Sequence, residues 1–227
     1  MNHPVLILTH DNLALTQRAV ESVRNQDIET RVYIIDNGSK DETVAWAEEH
    51  SFLLDASPLN VGVSAGWNHG LKILLATNEF CTVIGSDTVL PPWFCRTLLA
   101  CDVPFITGVA VDNMQQAMEH PVPGVFTFNP DFSGFCIRRD CWERVGPFDE
   151  RMRLYASDCD FHVRAHRMGV PLYKMSCAFY HERSSTLRLA PEAERQEINE
   201  QANKDRAVFQ SIYGCLPGSE AYEALFR

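Results

Sequence analysis

Four short polar clusters each follow an apolar run, and their side chains are of the kinds that hold nucleobases, phosphates and hard cations. They are Thr9-His10-Asp11-Asn12, Asp36-Asn37-Gly38-Ser39, the segment from Asn60 to Asn68, and Gly85-Ser86-Asp87-Thr88. Singly, each reads as a turn, because Asx and Gly residues are common turn formers. Jointly they predict a binding rim, since ligands of open parallel sheets bind beyond the carboxyl ends of the strands. In Asn60-Val61-Gly62-Val63-Ser64-Ala65-Gly66, small residues stand where a helix begins, so backbone N–H groups can approach a diphosphate, although the pattern is no Walker motif. Asp87, directly after FCTVIG, is a carboxylate placed where a hard cation bridging two phosphates can be held.

The elements that must carry these clusters follow from periodicity. Val5 to Thr9 reads as a strand, and Leu13, Val20 and Val23 at near-helical spacing as the helix after it. Arg31 to Asp36 is a second strand, and Ser39 with Glu42 forms a capping box that opens a helix through His50. Phe52 to Asp55 is a third strand, Val63 to Ala76 a third helix and Phe80 to Gly85 a fourth strand, an alternation that predicts a parallel sheet with helices on both faces. Beyond Pro91 and Pro92 the pattern becomes mixed. A short helix at Trp93 to Ala100 precedes strands at Pro104 to Val111, Phe132 to Arg138 and Leu172 to Tyr180, with a helix at Asp158 to Met168 closed by Gly169 and Pro171. A polar helix from Pro191 to Tyr213 carries a thin apolar stripe suited to a sheet edge or an oligomer contact. The 227 residues are expected to form one domain: residues 1–90 for a nucleotide, 91–184 for an acceptor and metal, and 185–227 as a helical extension.

A formal charge of -10 argues against general binding to nucleic-acid phosphates. Arg138, Arg139, Arg144, Arg151, Arg153, Arg164 and Arg167 form a local basic stretch that either faces an anion or is solvated. The start of the chain has no basic lead and too short an apolar run for a membrane span, so a cytoplasmic protein is expected. Eight cysteines without a CxxC pair read as free thiols, and His162 and His166, four apart with no third ligand, as a packing pair.

The ordered motifs T-H-D-N, IIDNGSKDET, NVGVSAGWNHG and IGSDTVLPPW resemble the family 2 glycosyltransferases, especially their rhamnosyltransferase-like branch. FSGFCIRRDCWERVGPFDERM, YASDCDFHVRAHRMG and YHERSST continue the resemblance, which runs from about Val5 to Gly214. It implies a GT-A fold, an α/β Rossmann-like mixed sheet. It further implies a nucleotide-diphosphate sugar donor (a UDP- or dTDP-sugar), a Mn2+ or Mg2+ ion, and an acceptor that is a glycan, lipid-linked glycan, protein or modified nucleobase. By the same resemblance, Thr9 and Asp36 contact the base, Asn60, Gly62 and Asn68 line the ribose and diphosphate, and Asn12 and Ser86 belong to the donor loops. Asp87 and His181 hold the metal, whereas residue type alone makes a lone His after an aromatic strand a packing group. Asp158 is the base that takes the acceptor proton, with inversion at the anomeric carbon. Two departures stand out. Gly85 and Ser86 occupy positions where the fuller motif is acidic, and Ser157 replaces a common Glu, leaving Asp160 as a nearby spare carboxylate. A binding module without turnover is the alternative. A nucleotidyltransferase would need a Gly-rich, cationic N-terminal loop, and VLILTHDN has no cation.

Overall fold

All seven residues of His3–Thr9 (β1) are buried, as expected of a strand covered on both faces. The computed structural model describes residues 2–121, 126–127, 130, 132–182 and 192–227. In it β1 pairs in parallel with Thr30–Asp36 (β2) on one side and with Phe80–Gly85 (β4) on the other, and β2 pairs in parallel with Leu53–Ala56 (β3). The helices between them are Leu13–Arg24 (α1), Thr43–Glu49 (α2) and Val63–Leu74 (α3). Register places Asp36 opposite Thr9, and Leu8 opposite Gly85, so the clusters after these strands end at one edge of the sheet.

The second half extends the same sheet with reversed strands. After Thr88–Val89 (β5) and helix Phe94–Leu99 (α4) come Phe105–Val111 (β6), Met114–Ala117 (α5), Phe126–Thr127 (β7), Gly134–Arg138 (β8), Arg139–Val145 (α6), Ser157–Arg167 (α7) and Tyr173–His181 (β9). The strand order is β3-β2-β1-β4-β8-β6-β9-β5, with β7 also paired to β9. Strand β8 runs antiparallel to both β4 and β6, while β9 is parallel to β6 and antiparallel to β5. The fold is thus a mixed α/β sheet, parallel in its first half.

Alternation along β1 feeds two cores. Val5 and Ile7 pack with Val20, Val23, Ala47 and Phe94 on one face, and Leu6 and Leu8 with Leu71, Phe105, Phe135, Phe148 and Phe161 on the other. His3 shares this burial. Its Nε2 lies 2.7 Å from Thr82 Oγ1, Nδ1 has no partner among the described residues, and desolvation pushes the imidazole down from 6.5 to about 4. A depressed histidine favours the fold fully above its unfolded value, and that contribution disappears as pH falls from 6.5 through 4. At about 1.4 kcal/mol per unit, on the order of 3 kcal/mol is at stake. Urea midpoints from pH 7 to 4 are therefore expected to fall more steeply for the wild type than for His3→Gln; parallel curves would contradict this.

Several expectations are corrected. Ser39 does not cap α2: its hydroxyl accepts from Asp11 N at 2.7 Å, its own N–H donates to Asp36, and Asp41 accepts from Thr43 N at 3.0 Å. The helix consequently begins at Thr43, with Glu42 at the cap position. The long helix Glu192–Tyr213 (α8) lies over α7 rather than a sheet edge, with Phe209 buried among Met152, Ala156, Val163 and Tyr222. Four of the seven arginines in the basic stretch are paired locally. Arg138 pairs with Asp102, Arg139 with Glu79, Arg151 with Asp149 and Arg164 with Asp160. All eight cysteines are free, and burial pushes Cys136 up to about 11. His162 and His166 pack against the Phe226 ring. No described helix is long and apolar enough to cross a membrane. Residues 183–191, which include the Arg183 to Thr186 end of YHERSST, lie outside the described residues.

Candidate functional site

The site begins where β2 ends. Asp36 is buried, and its Oδ1 accepts from Gly38 N at 3.0 Å and Ser39 N at 2.9 Å. Its Oδ2 has no partner among the described residues. A buried carboxylate oxygen without a donor is costly, so this one is suited to accepting an N–H from a ligand. Thr9, beside it in register, directs its hydroxyl to Thr16 Oγ1 at 2.6 Å. Asp11 and Asn12 both have left-handed backbones, φ 52 and φ 59, which Asx residues tolerate. In that conformation Asn12 caps α1 by accepting from Leu15 N, while Asp11 accepts from Lys40 N at 2.6 Å. Asn12 is therefore a helix cap, and Asp11 ties the first loop to the second.

The Asn60 segment is braced from below. Asn37, absent from the predicted set, accepts from Val61 N at 2.9 Å and donates to Asn60 Oδ1 at 3.1 Å; Asn60 Oδ1 also accepts from Gly62 N. Gly62 has φ 97, and a Cβ there would lie 2.7 Å from Arg153 O. The same carbonyl accepts from Val63 N at 2.7 Å and Ser64 N at 3.2 Å. Gly62→Ala is accordingly expected to lose about 1–3 kcal/mol of stability, read as a lower urea midpoint; an unchanged midpoint would mean that the turn is not confined. Asn68 is buried. It accepts from Phe148 N and donates to Phe148 O and Glu150 Oε1, clamping α3 to the turn at residues 146–150.

At the end of β4, Ser86 N donates to Leu8 O, and Asp87 lies next to β5. Strand β5 pairs with the last residues of β9, Thr88 opposite His181, and Glu182 N donates to Asp87 O at 3.0 Å. This brings His181 Nε2 to 3.4 Å from Asp87 Oδ1, with both side chains about one-fifth exposed. Gly85 makes room for that carboxylate, since a Cβ on it would stand 2.9 Å from Asp87 Oδ1. One carboxylate oxygen and one imidazole nitrogen suit a borderline-hard divalent ion such as Mn2+. Among the described residues there is no group of three or more metal-ligating side chains. The pair therefore fits an ion that takes its other ligands from phosphate and water.

Asp158 is in the first turn of α7, partly exposed, with Oδ1 accepting from Cys159 N at 2.8 Å. Ser157, where an acid is common in the resembled family, is a buried strut bonded to Ser64 Oγ at 2.7 Å. Asp160 is no spare base, because it is buried, pairs with Arg164 at 2.8 Å and accepts from Tyr213 Oη at 2.7 Å. A separate groove at the far end of α7, lined by His162, His166, Tyr222 and Phe226, contains none of these predicted residues. Sequence reasoning missed Asn37, Ser64 and Arg153. Asn37 lay inside a predicted loop, whereas nothing local signalled the long-range bonds of the other two.

Residues 5–113 match the family model described as Glycosyl transferase family 2. Among curated proteins, none matches. Among solved structures, S. aureus TarS is similar with a TM-score of 0.64 at 18% identity, over 100% of this chain and 47% of that one. The chain thus spans about half the length of that relative. GalNAc-T7, solved with UDP, GalNAc and Mn2+, has a TM-score of 0.64 at 11% identity over 79% of this chain and 43% of its own. The mannosyltransferase PcManGT from Pyrobaculum calidifontis, in complex with GDP-Man and Mn2+, has 0.56 at 15% identity over 99% and 78%. At these identities the likeness shows the fold, which is the GT-A Rossmann-like sheet.

Proposed function

We propose that this chain is a glycosyltransferase that moves a sugar, a hexose or deoxyhexose, from a nucleotide diphosphate to an acceptor hydroxyl with inversion. The observation that carries the reading is the convergence of Asp87 and His181 beyond the carboxyl ends of the parallel strands, where Asp36 presents a buried carboxylate oxygen with no donor among the described residues. The family match over residues 5–113 supports it.

In this reading the base of the donor reaches Asp36, whose Oδ2 accepts a ring N–H. Uracil, thymine and guanine each offer one, and two of the structural neighbours were solved with UDP and with GDP-Man respectively. The family resemblance favours a UDP- or dTDP-sugar. By the family resemblance the Gly62 turn faces the diphosphate, and the helix dipole at the start of α3 favours negative charge there, while the N–H groups of Val61, Gly62, Val63 and Ser64 are engaged within the protein and hold the turn in shape. Asp87 and His181 would hold a divalent ion. That ion supplies Lewis-acid stabilisation of the departing diphosphate. Asp158 removes the proton of the acceptor hydroxyl as the oxygen attacks the anomeric carbon, and one base opposite the leaving group gives direct displacement.

A thermal-shift series with UDP-, dTDP- and GDP-sugars, with and without Mn2+, tests the binding step. A donor at 100 times its Kd is expected to add about 2.7 kcal/mol of stability. Release of free nucleotide from the stabilising donor then tests turnover. Stabilisation without release would favour the binding module, and no stabilisation by any donor would end the proposal.

A further inference from the structure

The segment before α7 is held in an unusual way. Asp205, on α8 and wholly buried, pairs with no cation among the described residues. Its Oδ1 accepts from Arg153 N at 3.1 Å and Gln201 Nε2 at 2.7 Å, and its Oδ2 from Leu154 N at 2.8 Å and Tyr155 N at 2.9 Å. Four N–H donors can stabilise a buried carboxylate without a counter-ion. The next residue, Ala156, is left-handed at φ 69, a conformation that costs a non-glycine residue about 1 kcal/mol or more. It is the N-cap of α7, and the first turn of that helix contains Asp158.

The gripped segment also touches the other half of the site. Arg153 O accepts from Val63 N and Ser64 N, Arg153 Nη2 donates to Asn60 O at 2.7 Å, and the Arg153 backbone fills the space that a Cβ on Gly62 would need. Ser64 Oγ bonds both Met152 O at 2.5 Å and Ser157 Oγ at 2.7 Å. One buried carboxylate therefore fixes a segment that contacts the Gly62 turn on one side and leads into the helix of Asp158 on the other.

We infer that Asp205 is a positioning residue that couples the Gly62 turn to Asp158 through residues 153–157, so that the C-terminal helix sets the geometry of transfer. The inference rests on the roles proposed above for Gly62 and Asp158. Asp205→Asn keeps the shape but turns an amide toward backbone N–H donors. Hydrogen exchange on the ligand-free full chain is the first test. Protection is expected to fall at 153–155 and, with it, at Val63 and Ser64; unchanged exchange at Val63 and Ser64 overturns the coupling whatever the activity. Kinetics are the second. Asp205→Asn should lower kcat about tenfold, yet leave the residual rate of Asp158→Asn unaltered, because groups acting as a unit are not additive. Equal losses in both backgrounds would reduce Asp205 to scaffolding and overturn the inference. Should Asp205→Asn fail to fold, Ser157→Ala, which removes the Ser64 strut, must give the same non-additive kcat loss, and an additive loss overturns it. Full turnover in Asp158→Asn would instead refute the base assignment, and the exchange data would still decide the coupling.

Discussion

Asp158→Asn is expected to lower turnover by at least about 10²-fold while leaving donor affinity nearly intact, the signature of a lost general base. The change is nearly isosteric. Asparagine keeps an oxygen to accept from Cys159 N, so the first turn of α7 should survive. Neighbouring groups offer no substitute. Asp160 is enclosed by Arg164 and Tyr213, and Ser157 is bonded to Ser64 inside the protein. Single-turnover rates with saturating donor, beside calorimetric donor affinity, make the measurement. Retained turnover removes Asp158 from the role, and equal losses in turnover and affinity point to a structural one.

The second large effect concerns the pair at the sheet edge. His181→Ala and Asp87→Asn are each expected to abolish the increment that Mn2+ adds to UDP affinity, a loss of at least about tenfold, or about 1.4 kcal/mol. On the proposed reading each removes one of two protein ligands, and among the described residues no third metal-ligating side chain is grouped with them. Nucleotide affinity without metal should be nearly unchanged, because the base contact proposed for Asp36 remains. If the Mn2+ increment survives in His181→Ala, the imidazole is a packing group after all.

Much of this protein can be read locally. The buried runs at β1, β2 and β4, the helices between them and the polar clusters at their ends all follow from periodicity and turn chemistry, which act within a few residues. The capping box failed for a related reason. Ser39 and Glu42 satisfy the local pattern, but Asp36 in the same loop takes the Ser39 N–H and Asp11 from the first loop donates its N–H to the Ser39 hydroxyl.

Chain order could place Asp87 after a strand and His181 at the end of another, but only the antiparallel pairing of β5 with β9 brings them to 3.4 Å. Likewise, an amide or carboxylate has the same chemistry whether it meets a ligand or the backbone. Asn68 became a clamp, Asn12 a cap and Asp205 a buried anchor because of what surrounds each in space. Element identity is set by short-range sterics and burial pattern. The role of a polar side chain is set by its partners, and most of those come from distant parts of the chain.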